Sequence, residues 1–136
     1  MKFVLDANVA LKWVIPEKHS DKALRLRSDT LAGVHELHAP EIFAVEVGHA
    51  LTRAERKGDI PVGDADVHLL YILLTSPHFH SSLAILRRAV ARIGLYDCLY
   101  VALAEQERCE LVTADDKLIK NLQPRFPFIV PLYSLP

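Results

Sequence analysis

Short strand-like runs alternate with long stretches of helical periodicity, and this alternation constrains the fold more than any other feature of the 136 residues. Phe3, Val4 and Leu5 make Lys2 to Leu5 a strand, and Glu110 to Thr113 repeats the pattern late in the chain. Glu36 to Ala39 is a weaker strand candidate. Between these runs the apolar residues recur at helical spacing. A turn of helix runs through Val9 to Trp13 and ends before Pro16. Ser20 suits an N-cap for a helix to about Leu31, with Ala23, Leu24 and Leu31 among its apolar positions. Pro40 suits the opening of a helix over roughly Glu41 to Lys57, which carries Phe43, Val47, Ala50, Leu51 and Ala54 as one stripe and ends at Gly58. A helix from about Asp64 places Val67, Leu70, Tyr71 and Leu74 on one face. Leu83, Leu86, Val90 and Ile93 mark the next, closed by Gly94. Leu99 to Ala104 is apolar all round, which describes a helix buried within the domain. A last helix spans about Asp116 to Leu122. Strands separated by helices predict an α/β fold with a mostly parallel central sheet flanked by helices.

The length suits one domain over residues 1–136. Pro124, Pro127, Pro131 and Pro136 make the region from about 124 to 136 a short edge strand near Phe128 to Val130 and a tail, because proline is tolerated at sheet edges. A composition 51% hydrophobic and 24% charged excludes a disordered chain. Sixteen Lys and Arg against seventeen Asp and Glu leave a net charge of −1, so bulk charge gives no support for non-specific nucleic-acid binding. Apolar runs such as Leu69 to Leu74 fall far short of the ~20 residues of a membrane span. Asp6 interrupts the N-terminal apolar run before a signal peptide can form. Cys98 and Cys109 bound one helical segment and stand ~16 Å apart along it, too far for a disulfide. Free thiols predict a cytoplasmic protein.

Four acids fall at structural junctions. Asp6 follows the first strand, Asp115 follows the strand ending at Thr113, Asp97 opens the buried helix, and Glu46 lies beside a core-facing stripe. Each has a plain structural role open to it, since Asp6, Asp97 and Asp115 all stand where a helix N-cap belongs. Together they point further, because sites in parallel α/β sheets form beyond the carboxyl ends of the strands. Like charges gathered there need protons or cations, and hard oxygen ligands suit Mg²⁺ or Mn²⁺.

The segments Val4-Leu5-Asp6-Ala7-Asn8, Ala39-Pro40-Glu41-Ile42-Phe43-Ala44-Val45-Glu46, Leu95-Tyr96-Asp97-Cys98-Leu99-Tyr100 and Leu111-Val112-Thr113-Ala114-Asp115 resemble PIN-domain nucleases, in particular the VapC-type toxin branch. The resemblance covers essentially the whole chain in order and spacing. It implies a ribonuclease dependent on Mg²⁺ or Mn²⁺, with Asp6, Glu46, Asp97 and Asp115 as its catalytic acids. Asp6 and Asp97 match the direct metal ligands, and Asn8 and Thr113 match supporting positions. His49 stands where many relatives carry Asn, which makes His49 and Arg53, farther along the same helix, candidate RNA contacts. The resemblance also implies a cognate antitoxin protein. Spare apolar surface near Trp13 and Leu24, or near Leu70 and Leu74, predicts a homodimer.

Metal ions can activate water and stabilise charge on a phosphate, so no Ser, Cys or His nucleophile is needed. Other chemistries fit less well. A haloacid-dehalogenase phosphatase wants a second Asp where Asn8 stands, and a receiver domain wants a mid-chain Asp after a strand. A PIN fold that binds RNA or protein without cutting is the main alternative. The histidine pairs His78/His80 and His35/His38 lack a third ligand at a usual sequence spacing, so no structural zinc is expected.

Overall fold

A computed structural model describes residues 1–75, 77–92 and 97–136, with the side chains of residues 92, 97 and 98 outside that description. Five strands form one all-parallel sheet: β1 (Lys2–Leu5), β2 (Glu36–Pro40), β3 (His78–His80), β4 (Glu110–Thr113) and β5 (Ile129–Pro131). Their order is β3-β2-β1-β4-β5. The chain builds outward from β1 to β3 and then returns to the other side of β1 to lay down β4. The order therefore reverses between β1 and β4, and a crevice opens beyond the carboxyl ends of that pair.

The connecting helices are α1 (Ala7–Leu11), α2 (Ser20–Leu31), α3 (Ile42–Lys57), α4 (Asp64–Leu73), α5 (Ser82–Arg92), α6 (Asp97–Glu107) and α7 (Asp116–Leu122). The uniformly apolar segment is α6, and every residue from Leu99 to Ala104 is buried. It packs on β1, β2 and β4, with α5 beside it. The α3 stripe is also internal, with Phe43, Val47 and Leu51 fully excluded from solvent. Gly58 ends α3 with φ +80°, a conformation that a side chain would resist.

Several expectations change in detail. Ser20 is the first residue of α2, not its cap, and its hydroxyl accepts a hydrogen bond from the Glu17 amide at 2.8 Å. The core side of α2 is Ala23 and Leu26, while Leu24 and Leu31 are exposed. In α4 the stripe Val67, Leu70, Tyr71 and Leu74 faces solvent, and Ile72 with Leu69 packs inward. In α5 Leu83, Leu86 and Val90 are exposed, and Ile85 and Ala89 are buried. These helices carry apolar residues on two sides, so periodicity alone selects the wrong face. Trp13 is buried, and its indole N–H donates to Ala23 O at 2.8 Å, which removes it from any apolar surface. The edge strand expected near Phe128 to Val130 is β5 at one side of the sheet, and the residues after it pack back on the domain, with Leu132 in the following 3-10 turn (Leu132–Ser134) buried. Gly94, expected to close α5, lies outside the described residues. Among the described residues no helix is long and apolar enough to cross a membrane.

Candidate active site

The switch between β1 and β4 places Asp6 and Thr113 side by side. The Asp6 amide donates to Val112 O at 3.1 Å, extending the ladder one residue past β1. Its carboxylate is buried and occupies the N-cap position of α1, yet makes no capping hydrogen bond there. Instead Asp6 Oδ2 accepts from Thr113 Oγ1 at 2.8 Å and from Asn8 Nδ2 at 3.4 Å. The capping explanation for Asp6 therefore fails, and its side chain is aimed along the carboxyl rim of the sheet.

Thr113 and Asn8 tie this carboxylate to the other strand. Thr113 Oγ1, fully buried, also accepts from the Asp115 amide at 3.1 Å. Asn8 Oδ1 accepts from the Ala114 amide at 3.0 Å. Two polar side chains thus clamp the turn after β4 against the turn after β1. Asp115 does cap α7: its Oδ1 accepts from the amides of Lys117 and Leu118 at 3.0 and 3.1 Å. Both bonds use one oxygen, so capping orients the carboxylate without engaging Oδ2.

Glu46 enters from α3. Its Oε1 accepts from Tyr100 Oη at 3.1 Å, a contact between residues 54 apart. Tyr100 is buried, and its phenol is held far above the ordinary tyrosine range. Burial is the largest cause, followed by the negative charges of Asp6 and Glu46. One phenol therefore feels the charge of both carboxylates and touches Glu46 directly. Tyr100 was hidden from sequence reasoning inside an apolar helix; its position one turn after Asp97 was the only available signal.

Asp97 begins α6, so its backbone starts at this end of the sheet, but its side chain lies outside the described residues. His49 and Arg53 are exposed on α3 and continue, at spacings of three and four residues, the line that starts at Glu46. The donor types offered here are carboxylate oxygens with hydroxyl and amide support, which suit a hard divalent cation, although the described carboxylates do not converge on one point as three donors. Two trios of His and Glu donor atoms among the described residues also come within 4.8 Å of one another, and neither includes these acids.

The PIN domain family profile matches residues 3–122. A ribonuclease VapC3 from Pyrobaculum aerophilum is 31% identical over 137 aligned residues, covering 96% of this chain and 98% of the relative. A ribonuclease VapC3 from Mycobacterium tuberculosis is 31% identical over 120 residues, covering 86% and 85%. Two solved structures share the fold. PAE2754 from Pyrobaculum aerophilum superposes with a TM-score of 0.67 at 24% identity, covering 98% of this chain and 94% of its own. VapBC2 from Rickettsia felis, bound to a promoter DNA fragment, gives a TM-score of 0.58 at 19% identity, covering 96% and 97%.

Proposed function

Since the chain belongs to the PIN-domain family, in its VapC-type branch, we propose that it is a Mg²⁺- or Mn²⁺-dependent endoribonuclease, the toxin of a toxin–antitoxin pair. The observation that carries this reading is the buried Asp6 carboxylate, held by Thr113 and Asn8 and uncommitted to capping α1. Burying a carboxylate costs several kcal/mol unless charge or hydrogen bonds compensate, and a protein tolerates that cost chiefly where the charge is used.

Asp6 and Asp97 are the proposed metal ligands, with Glu46 and Asp115 completing the catalytic set directly or through water. A divalent ion held there would supply positive charge for the phosphate oxygens and would lower the pKa of water, so that hydroxide is available as the nucleophile. The chain's own residues set the geometry. Thr113 donates to Asp6 and so orients that carboxylate. Tyr100 keeps its proton because burial and two nearby carboxylates oppose its loss, so its hydroxyl remains a donor to Glu46. The α7 cap fixes Asp115 at the far side of the rim. His49 and Arg53, exposed along α3, are the proposed contacts for the RNA backbone.

The purified chain, freed of partners, is expected to cleave RNA with Mg²⁺ or Mn²⁺ and to lose that activity in EDTA. Cleavage undiminished by chelator would overturn the metal dependence. RNA that is bound but never cut, across transfer, ribosomal and messenger substrates, would favour the non-cleaving alternative.

A protein antitoxin is the proposed partner at the groove, and the VapBC2 assembly from Rickettsia felis supports that pairing. The cell's cytoplasm is the proposed location. The solvent-facing apolar residues of α4 and α5 are the proposed dimer surface: Val67, Leu70 and Leu74 are 61%, 59% and 65% exposed, more than an isolated soluble helix needs to show. Light scattering is expected to give twice the chain mass at micromolar concentration, and Leu70→Glu with Leu74→Glu should reduce it to one. A wild-type monomer would remove the dimer.

A further inference from the structure

Away from the acid rim, the sheet brings together histidines that are distant in sequence. In the register of β2 with β3, His38 lies opposite His78 and Pro40 opposite His80. Glu36 and His38 alternate onto one face of β2, as His78 and His80 do on β3. The C-terminal turn of α6 closes over that face and contributes Glu107. The third ligand that sequence spacing did not offer is supplied by tertiary structure.

Three donor atoms converge there. His38 Nδ1 is 2.8 Å from His80 Nε2 and 3.8 Å from Glu107 Oε1, and the last two atoms are 3.9 Å apart. The circle through three points separated by 2.8, 3.8 and 3.9 Å has a radius of about 2.1 Å, the length of a Zn–N or Zn–O bond. An ion near its centre would lie at ligand distance from all three donors, and a small parting of the two imidazoles would open the angle between them toward the tetrahedral value. His38 is also set up on its other side. Its Nε2 makes a short hydrogen bond to Glu36 Oε1. That bond places the ring proton on Nε2 and leaves Nδ1, which pairs with His80 Nε2 here, as the nitrogen able to ligate, the carboxylate–histidine–metal arrangement of zinc sites.

We propose that His38 Nδ1, His80 Nε2 and Glu107 Oε1 form a second metal site that takes Zn²⁺, with Glu36 orienting His38 from outside. Two imidazoles and one carboxylate suit Zn²⁺ and disfavour Mg²⁺, which separates this site from the oxygen-only rim. The other trio, Glu36, His38 and His78, has two exposed members, and its Glu36 carboxylate is already hydrogen-bonded to His38 Nε2. The proposed ion is structural. It joins the edge strand β3, the inner strand β2 and the end of α6, about 15 Å along that helix from Asp97. Coordination at His80 Nε2 requires that the proton now bridging the two imidazoles move to His80 Nδ1 or to solvent. Lys2 is the competing cation: its Nζ lies 2.8 Å from the same Glu107 oxygen and must swing aside when the ion binds.

The test uses the full chain, stripped with chelator, dialysed, and titrated with Zn²⁺ alone in the presence of excess Mg²⁺, followed by calorimetry and thermal melting. One Zn²⁺ per chain and a raised melting temperature are expected. Binding should disappear in His80→Ala and Glu107→Gln, weaken about 10–100-fold in Glu36→Gln, and tighten in Lys2→Met. His80→Ala is the decisive variant, because His80 sits on a half-open sheet edge whereas replacing buried His38 disturbs the core. Asp6→Asn should bind Zn²⁺ as wild type does. No uptake of Zn²⁺, uptake unchanged in His80→Ala, or uptake lost in Asp6→Asn would each overturn the proposal. RNA cleavage by His80→Ala in Mg²⁺ reads the acid rim separately, so the two sites fail independently.

Discussion

Asp6→Asn is expected to lower RNA cleavage by about 10³-fold or more while leaving the melting temperature unchanged or slightly raised. Asn keeps the shape of the side chain and still offers an oxygen to Thr113 Oγ1, so the clamp between β1 and β4 survives. It removes the negative charge from a buried position that shares its surroundings with Glu46. Repulsion falls in the metal-free protein, and the proposed ligand is lost. Asp97→Asn is expected to behave likewise. A sharp fall in melting temperature with cleavage intact would return these acids to a purely structural role.

The largest loss of stability is expected at Phe43. Its ring is fully buried on the inner face of α3 and lies 5.9 Å from the ring of Phe79 on edge strand β3. Phe43→Ala removes that packing and leaves a cavity that the sheet cannot collapse to fill, at a cost of about 3–5 kcal/mol. For a domain of this length the loss corresponds to a melting temperature lower by roughly 10–20 °C. Denaturant unfolding measures it. A change below about 1 kcal/mol would mean that α3 is not anchored to the core in this way.

The placement of Asp6 and Asp115 just beyond the ends of β1 and β4 was legible because topology and local sequence agree. A strand that ends at Leu5 must place the next side chain at the rim, and the strand ending at Thr113 does the same two residues before Asp115. What joins them was not legible. The Thr113–Asp6 hydrogen bond links residues 107 apart, and only the order of strands makes β1 and β4 neighbours. Tyr100 was concealed because a buried tyrosine in an apolar helix has the same periodicity as a core phenylalanine. The His78–His80 strand was too short to reveal itself, and with it went the register that sets His80 beside His38. The outward stripes of α4 and α5 misled for another reason. Hydrophobic periodicity reports that a face is apolar, not whether this chain or a partner covers it.

In the proposed mechanism water, activated at the Asp6, Glu46, Asp97 and Asp115 rim, attacks the RNA phosphate. Sequencing and mass analysis of the termini left by the wild-type chain in Mg²⁺ test it most directly, with Asp6→Asn prepared identically as control. The wild type should leave 5′-phosphate and 3′-hydroxyl ends, and the variant should yield no fragments. Fragments ending in 2′,3′-cyclic phosphate, produced equally by both proteins, would show that the RNA's own 2′-hydroxyl is the nucleophile and would contradict the proposed mechanism.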